Sequence, residues 1–135
     1  MKYSAGILFY KKLNNEVLVL IVHPSGNYNR NAPYSIPKGE INKGELPIDT
    51  AIRECEEEVN IKVGYESVHY LNEIIYSSKK KKVICFKCEI EKEVIGSIKS
   101  WEIDDLKWVN LDLAKEMLMK DQKIFIDDLK EFLKI

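Results

Sequence analysis

Apolar runs separated by short polar breaks predict strands in the first third of the chain. Tyr3 to Tyr10 is rich in apolar and aromatic residues, and Glu16 to His23 is a nearly continuous apolar run, as in strands buried on both faces. The polar segment Lys11 to Asn15 predicts a turn between them. Pro24 to Pro33 has the composition of a loop, and Tyr34 to Ile36 is a short extended piece that follows it.

The pattern changes to a helical period in the middle of the chain, over Pro47 to Ile61. A proline suits a first helical turn, where its missing N–H would have no partner. Apolar residues recur at the spacing of one helix face and predict a buried stripe. The members of this stripe are Ile48, Ala51, Ile52, Cys55 and Val59.

Strand patterns return after this helix. Lys62 to Ser78 contains strand material, which is clearest over Tyr70 to Tyr76, and Val83 to Ile90 is a second strand. The polar segment Ser77 to Lys82 lies between them, so the pair is predicted to form a hairpin with this segment at its tip. Val94 to Ile98 is a weaker pattern that favours a turn and a short edge strand.

The C-terminal part is predicted to be helical after one short strand, Leu106 to Val109. Asn110 or Asp112 is a candidate cap for a helix that runs through Met119. The predicted apolar side of that helix consists of Leu113, Met117 and Leu118. A last helix carries Ile124, Phe125, Leu129, Phe132 and Leu133 at helical spacing.

This order of strands, helix, strands and terminal helices predicts an α+β fold or an α/β/α sandwich. With 135 residues, the chain is expected to form one domain over residues 1–135 that is large enough for a core. The 21 basic and 22 acidic residues nearly cancel, so no global charge favours DNA or a membrane. Any positive field for a phosphate must therefore be local.

The cysteines and the N-terminus favour a reduced, cytoplasmic protein. Three cysteines are an odd number without a disulfide framework, and no stretch resembles a leader peptide or reaches membrane-spanning length. Cys85 and Cys88 have a zinc-like spacing, but they lie in a predicted strand where positions three apart face opposite sides. A monomer or a homodimer is expected.

The central helix carries an acidic edge. At about 100° per residue, Glu54, Glu57 and Glu58 fall on one edge that is predicted to face away from the core. Arg53 is placed to pair with Glu57 four residues later. Three crowded carboxylates repel one another, whereas Mg²⁺ and Mn²⁺ take oxygen ligands and neutralise such a cluster. A solvated acidic face is the alternative explanation.

The spacing around this helix resembles the signature of the Nudix hydrolases. It runs from Gly39 through five residues to Glu45, then through seven residues to Arg53-Glu54-Cys55-Glu56-Glu57-Glu58-Val59-Asn60-Ile61. The one departure is Asn60, where the family has glycine. This position follows the helix end, where a left-handed residue is wanted, and asparagine is the next best residue there.

The resemblance implies a mixed sheet between helices and hydrolysis of a phosphoanhydride by water. The segment that carries the signature, Gly39 to Ile61, is called the box below, and it is expected to form a loop–helix–loop. It implies that Mg²⁺, or Mn²⁺, is held by Glu54, Glu57 and Glu58 and by the backbone carbonyl of Lys38. Gly39 and Gly44 would let the loop fold tightly. Glu45 and Arg53 would orient the metal-binding carboxylates.

Family members often bring a further acidic residue from a loop late in the sheet. Glu102 is in the corresponding place, and Asp104 and Asp105 are rivals for it. The resemblance implies that the general base is Glu57, Glu58 or Glu102, and it leaves the three open.

The substrate must be selected outside the box. The layout is most like that of bacterial diadenosine tetraphosphate hydrolases, which carry a tyrosine close to the position of Tyr76. The members that act on ADP-ribose or NADH carry proline-containing motifs downstream of the box, whereas this chain has no proline after Pro47. Candidate substrate contacts are Tyr76, Tyr34, Tyr28, Trp101, Lys38, Arg30 and Lys79 to Lys82. The predicted substrate is a dinucleoside polyphosphate; the alternatives are nucleoside triphosphates, oxidised ones included, RNA 5′ ends, or a non-catalytic nucleotide sensor.

Overall fold

A mixed six-stranded sheet runs through the molecule, and the computed structural model describes residues 1–135. The strands are β1 (Lys2–Leu13), β2 (Glu16–Pro24), β3 (Lys38–Glu40), β4 (His69–Ile75), β5 (Lys81–Glu89) and β6 (Ile103–Asn110). The helices are α1 (Pro47–Val59), α2 (Leu111–Met117) and α3 (Lys123–Leu133), with 3-10 turns at Asn27–Asn29, Tyr65–Ser67 and Lys120–Gln122.

The long first strand β1 organises the sheet. The strand order is β4-β5-β1-β2-β6, with β1 and β5 parallel and the other neighbours antiparallel. The start of β1, at Ser4 to Gly6, pairs with β3, whereas its end, at Tyr10 to Leu13, pairs with β2 through the turn at Asn14-Asn15. β3 therefore lies beside β1 where β2 does not reach.

Alternation along β1 builds two cores, one on each face of the sheet. Side chains that point one way pack under α1, and those that point the other way pack under α2 and α3. The first core includes Ala5, Ile7, Phe9, Ala51, Cys55 and Val59, and the second includes Leu8, Tyr10, Ala114, Phe125, Ile126 and Leu129. The predicted α+β sandwich is confirmed, and no helix is long and apolar enough to cross a membrane.

The structure corrects the predicted strands at four places, of which the first is the C-terminal end of β1, which runs through Leu13 where a turn was predicted from Lys11. Val94 to Ile98 forms no strand; instead the N–H of Ser97 donates to the carbonyl of Val59 at the end of α1, so this segment is bonded to the helix and not to the sheet. Strand β3 was predicted as loop, because three residues with two charges carry no apolar alternation. Lys81 and Lys82 also lie in β5 and not in the hairpin tip.

The C-terminal helices have the predicted positions but different buried faces. Asn110 caps α2 as predicted, since its Oδ1 accepts from the N–H of Leu113 at 2.8 Å. The helix ends at Met117, because the backbone of Tyr34 pairs with Met117 and Met119. Residues predicted as apolar contacts but found exposed are Leu113 in α2 and Ile124 and Phe132 in α3.

The burial pattern explains these differences. In α2 the core takes Leu111 and Ala114, on another face from Leu113. In α3 it takes Ile126, and Ile124 lies on the opposite flank of Phe125, so one helix face cannot bury both. Apolar residues around most of a helix do not by themselves say which flank is covered.

Asn60 ends α1 in the left-handed conformation that the sequence predicts for it. Its φ is 59° and ψ is 38°, and its N–H donates to the carbonyl of Glu56 at 3.1 Å. Its side chain also donates to the Ser97 hydroxyl at 3.2 Å. Glycine adopts this conformation without strain and asparagine tolerates it, whereas other side chains adopt it only at a cost in free energy.

We expect Asn60→Ala to lower the free energy of unfolding by about 1 kcal/mol or more, because a Cβ without a polar group disfavours this conformation. Asn60→Gly serves as the matched control and should leave stability nearly unchanged. Urea unfolding of the three proteins measures the difference. Equal losses for alanine and glycine would show that the Ser97 contact, and not the backbone conformation, decides stability here.

Candidate active site

The Arg53 guanidinium holds the box together. It forms a two-pronged ion pair with Glu45, with Nε–Oε2 at 2.8 Å and Nη2–Oε1 at 2.9 Å. Its Nη1 donates to Glu54 Oε1 at 2.8 Å and lies 3.4 Å from Glu57 Oε2. One cation on the helix therefore fixes the preceding loop and restrains two carboxylates of the acidic edge.

Glu45 is the anchor on the loop side. Besides Arg53, its Oε1 accepts from the Thr50 hydroxyl at 2.7 Å and from the N–H of Asn42 at 3.2 Å. These bonds, with that to Arg53 the largest, lower the pKa of Glu45 to about 2. Glu45 is therefore a permanently charged link between the loop and α1 at neutral pH.

Two glycines shape the loop. A Cβ at Gly39 would lie 2.0 Å from Glu54 Cδ, so only glycine leaves room for the Glu54 carboxylate against β3. Gly44 has φ +80° just before the helix, a conformation that other residues rarely adopt. Gly39 thus permits a close approach of the helix, and Gly44 permits a left-handed turn.

Glu58 corrects the predicted direction of the acidic edge. Its side chain is buried, whereas Glu57 is exposed. The burial has a cause in tertiary structure: the side chain shares a cleft with Ile36, Lys38 and Ile103, which come from other segments of the chain. The segment after β5 is bonded to the end of α1, where the N–H of Lys99 donates to the Glu58 carbonyl at 3.1 Å. Glu58 therefore faces the interior of a cleft and not bulk solvent.

Charged groups of both signs meet in this cleft. Burial raises the pKa of Glu58 to about 7, with repulsion from Glu102 and Glu54 adding to it and the Lys38 ammonium opposing it. Burial, with the nearby Lys81, lowers the pKa of Lys38 to about 8. A carboxyl group and an ammonium group whose pKa values are both shifted toward neutrality are typical of functional sites.

The cleft has a volume of about 70 Å³. Its lining consists of Val22, Pro24, Ser35, Ile36, Lys38, Glu58, Glu102 and Ile103. A larger hollow of about 410 Å³, lined by Lys12 and residues 89–93, lies on a polar turn and brings no box residue together. The small cleft is therefore the candidate active site.

Of the three late acidic residues, the structure brings Glu102 to the box. Asp104 instead contacts His23, with Oδ1–Nδ1 at 2.8 Å, and Asp105 accepts from the Tyr34 hydroxyl. Glu102 is an exposed residue at the rim of the cleft, close enough to raise the pKa values of Glu54 and Glu58.

The carboxylate oxygens of Glu54, Glu57 and Glu58 are chemically suited to bind a divalent cation. No three acidic, histidine or cysteine side chains are already arranged to hold a metal ion. Burial raises the pKa of Glu54 even beside Arg53, and Glu57 and Glu102 raise it further. Oxygen ligands that repel one another in this way are those that Mg²⁺ or Mn²⁺ neutralises.

The four candidate aromatic contacts fall into two groups. Tyr76 and Tyr34 are partly buried against the core beneath α2 and α3; Tyr76 accepts a hydrogen bond from Gln122, and Tyr34 packs on His23 with centroids 5.1 Å apart. Tyr28 and Trp101 are almost fully exposed. Their loops are joined because the N–H of Ser25 donates to the Glu102 carbonyl at 2.9 Å.

Sequence reasoning missed Gln122 and the special place of Lys81. Gln122 is fully buried, and an isolated glutamine between two helical patterns gives no signal of that. Lys81 belongs to a run of four lysines, of which Lys79 and Lys80 are exposed at the hairpin tip. The pairing of β1 with β5 places Lys81 at the start of a strand, 6.0 Å from the Tyr76 ring.

The chain belongs to the NUDIX family, because the model of the NUDIX domain matches residues 2–129. It is 28% identical to the asymmetrical bis(5′-nucleosyl)-tetraphosphatase of Sus scrofa, over 94% of this chain and 91% of that protein. The predicted enzyme class, a Nudix hydrolase acting on phosphoanhydrides, is confirmed by the family match and this relative.

Solved structures show the same fold. An Ap4A hydrolase of C. elegans in a binary complex has a TM-score of 0.84 at 23% identity, covering 99% of this chain and 98% of that one. The NUDIX domain of Shewanella oneidensis NrtR, complexed with ADP ribose, has a TM-score of 0.79 at 17% identity and covers 97% and 87%.

We expect Gly39→Ala to lower the hydrolysis rate by about 10- to 100-fold while the protein stays folded, because the added methyl displaces the Glu54 carboxylate. Steady-state rates and thermal unfolding measure the two effects. Lys43→Ala, in the same loop with an exposed side chain, is the control and should change neither. An unchanged rate in Gly39→Ala would mean that the position of Glu54 is unimportant.

We expect Glu58→Gln to raise the melting temperature at pH 8 in metal-free buffer and to change it little at pH 4. Between the ordinary pKa of 4.5 and about 7, the folded protein keeps a proton that the unfolded chain has released, so stability falls as pH rises through this range. Glutamine removes that loss. Differential scanning calorimetry in the presence of EDTA measures the melting temperatures. Glu57→Gln, at an exposed position, is the control, and its melting temperature at pH 8 should rise less.

Proposed function

We propose that this protein hydrolyses dinucleoside polyphosphates such as diadenosine tetraphosphate, in a reaction that requires Mg²⁺ or Mn²⁺. The observation that carries the substrate is the similarity to the Sus scrofa tetraphosphatase, which extends over nearly the whole of both chains. In addition, the chain keeps every carboxylate of the signature, and one of them, Glu58, lines the cleft. A non-catalytic sensor would have no need of that complete set.

Glu54, Glu57 and Glu58, with the backbone carbonyl of Lys38, are the groups that would hold the ion. When bound, such an ion neutralises phosphate oxygens and lowers the pKa of a coordinated water. Arg53 keeps Glu54 and Glu57 on the same side of α1, and Glu45 keeps Arg53 in place. Gly39 leaves the space in which Glu54 lies.

In the reaction, a water oxygen bonds to a phosphorus atom while the bond from that phosphorus to the bridging oxygen breaks, and the released phosphate group carries away the electron pair. A carboxylate must take the proton of the water. Glu58 and Glu102 line the cleft, Glu57 lies on the exposed side of α1 near Arg53, and each of the three remains a candidate for this role. The ammonium groups of Lys38 and Lys81 can offset negative charge on the phosphate chain.

The nucleobase of the substrate would be bound by residues outside the box. Tyr28 and Trp101 present exposed rings on joined loops near Glu102, where a nucleobase could stack on them. Tyr34 is less available, because its ring packs on His23 and its hydroxyl is bonded to Asp105. Arg30, Lys79 and Lys80 would contact outer phosphates.

We expect the protein with Mg²⁺ to split diadenosine tetraphosphate asymmetrically, and EDTA to abolish the reaction. Glu57→Gln should lower the rate by about 10²- to 10⁴-fold without unfolding. Product separation by ion-exchange chromatography and circular dichroism provide the measurements.

Glu56→Gln is the control, because Glu56 lies on the same helix outside the acidic edge and should retain activity. If diadenosine tetraphosphate stayed intact while a nucleoside triphosphate gave monophosphate and pyrophosphate, the proposed substrate would be wrong. If no nucleotide were cleaved but one bound, the sensor alternative would hold.

A further inference from the structure

Gln122 connects three separate parts of the chain from a fully buried position. It ends the 3-10 turn before α3, and none of its surface is exposed. Its Oε1 accepts from the N–H of Ile36 at 2.9 Å. Its Nε2 donates to the Ser35 hydroxyl at 3.1 Å and to the Tyr76 hydroxyl at 3.0 Å.

The orientation of this amide follows from its partners. A backbone N–H can only donate, so the atom of Gln122 facing Ile36 must be the carbonyl oxygen. The amide nitrogen is then turned to the two hydroxyls, and both of them accept. Ser35 uses its own proton in a bond to the Ile36 carbonyl at 2.8 Å.

Tyr76 is left with an unused proton. The only hydrogen bond of its hydroxyl within the protein is the one that it accepts from Gln122. A phenol that accepts from a buried amide keeps its O–H free to donate elsewhere. The Lys81 ammonium lies 6.0 Å from the same ring, and the nearest carboxylate, Asp121, accepts from the N–H and the hydroxyl of Ser77 and not from the phenol.

The same glutamine reaches the candidate active site. Its partners Ser35 and Ile36 line the cleft together with Lys38, Glu58 and Glu102. The Tyr76 hydroxyl and the wall of the cleft are therefore held by one amide. An anionic oxygen is the kind of acceptor that this set of donors would bind.

We propose that Gln122 is a positioning residue that keeps the Tyr76 hydroxyl as a hydrogen-bond donor toward the phosphate chain of the substrate. This inference rests on the proposed function, in which the substrate is a nucleotide with several phosphates. Gln122 itself does not touch the substrate; it decides which way the phenol donates.

A purely structural tie between the hairpin and the C-terminal helix is the competing explanation, and the chain offers a matched control for it. Asn72 in β4 donates to Asp128 in α3 at 2.7 Å, which also joins hairpin to helix but lies away from Tyr76 and the cleft. Asn72→Ala should therefore lose stability without a change in KM.

The test is a double-mutant cycle of Gln122→Leu and Tyr76→Phe, assayed with diadenosine tetraphosphate and Mg²⁺. We expect each single variant to raise KM about tenfold with kcat nearly unchanged, since a hydrogen bond to a charged group is lost. The double variant should be no worse than either single one. Additive effects, or a fall in kcat with KM unchanged, would overturn the proposal.

Two further measurements keep the outcome decisive. If Gln122→Leu does not fold, Tyr76→Phe still tests the proton, because an unchanged KM would show that it is not used. If diadenosine tetraphosphate is not cleaved, the proposed substrate is wrong, and the cycle is run on the nucleoside triphosphate that is cleaved. If none is cleaved, calorimetric binding of inorganic tripolyphosphate to the same variants replaces KM.

Discussion

The geometry of the site depends on the sharing of one guanidinium among carboxylates from two segments. Arg53 is bonded twice to Glu45 in the loop and once to Glu54 on its own helix, and it lies near Glu57. Without a cation at this point, the carboxylates would repel one another and the loop would have no fixed relation to α1. Because the guanidinium is planar and multidentate, a lysine could not hold the same set.

A second constraint acts at the other end of α1. Carbonyls of the last helical turn, which have no partner within the helix, accept from the segment that follows β5: Val59 from Ser97, and Glu58 from Lys99. The start of that segment is fixed by the buried Lys11, whose ammonium donates to the carbonyls of Lys92 and Val94. The helix end thus brings Glu102 beside Glu58, so that the cleft is completed by tertiary contacts.

What the sequence predicts well is what depends on neighbouring residues. The apolar stripe of α1, the Asn110 cap and the left-handed Asn60 follow from local spacing and conformational preference. The burial of Glu58 could not be predicted, because a helical projection gives a side chain's direction but not what covers it. Three other features could not be predicted for the same reason, because each is decided by partners distant in the sequence: the short strand β3, the exposure of Ile124 and the burial of Gln122.

This division between local and distant determinants also applies to substrate choice. The box is a continuous segment, and its chemistry is set by residues that hold one another. The groups proposed to contact the nucleotide come from loops and strand ends: Tyr28, Trp101, Tyr76 and Lys81. Exposed rings such as Tyr28 and Trp101 lose no packing when they are replaced, whereas Arg53 and Glu45 cannot change without disturbing the carboxylates. A change at these exposed rings can therefore alter nucleotide contacts while the carboxylates of α1 stay in place.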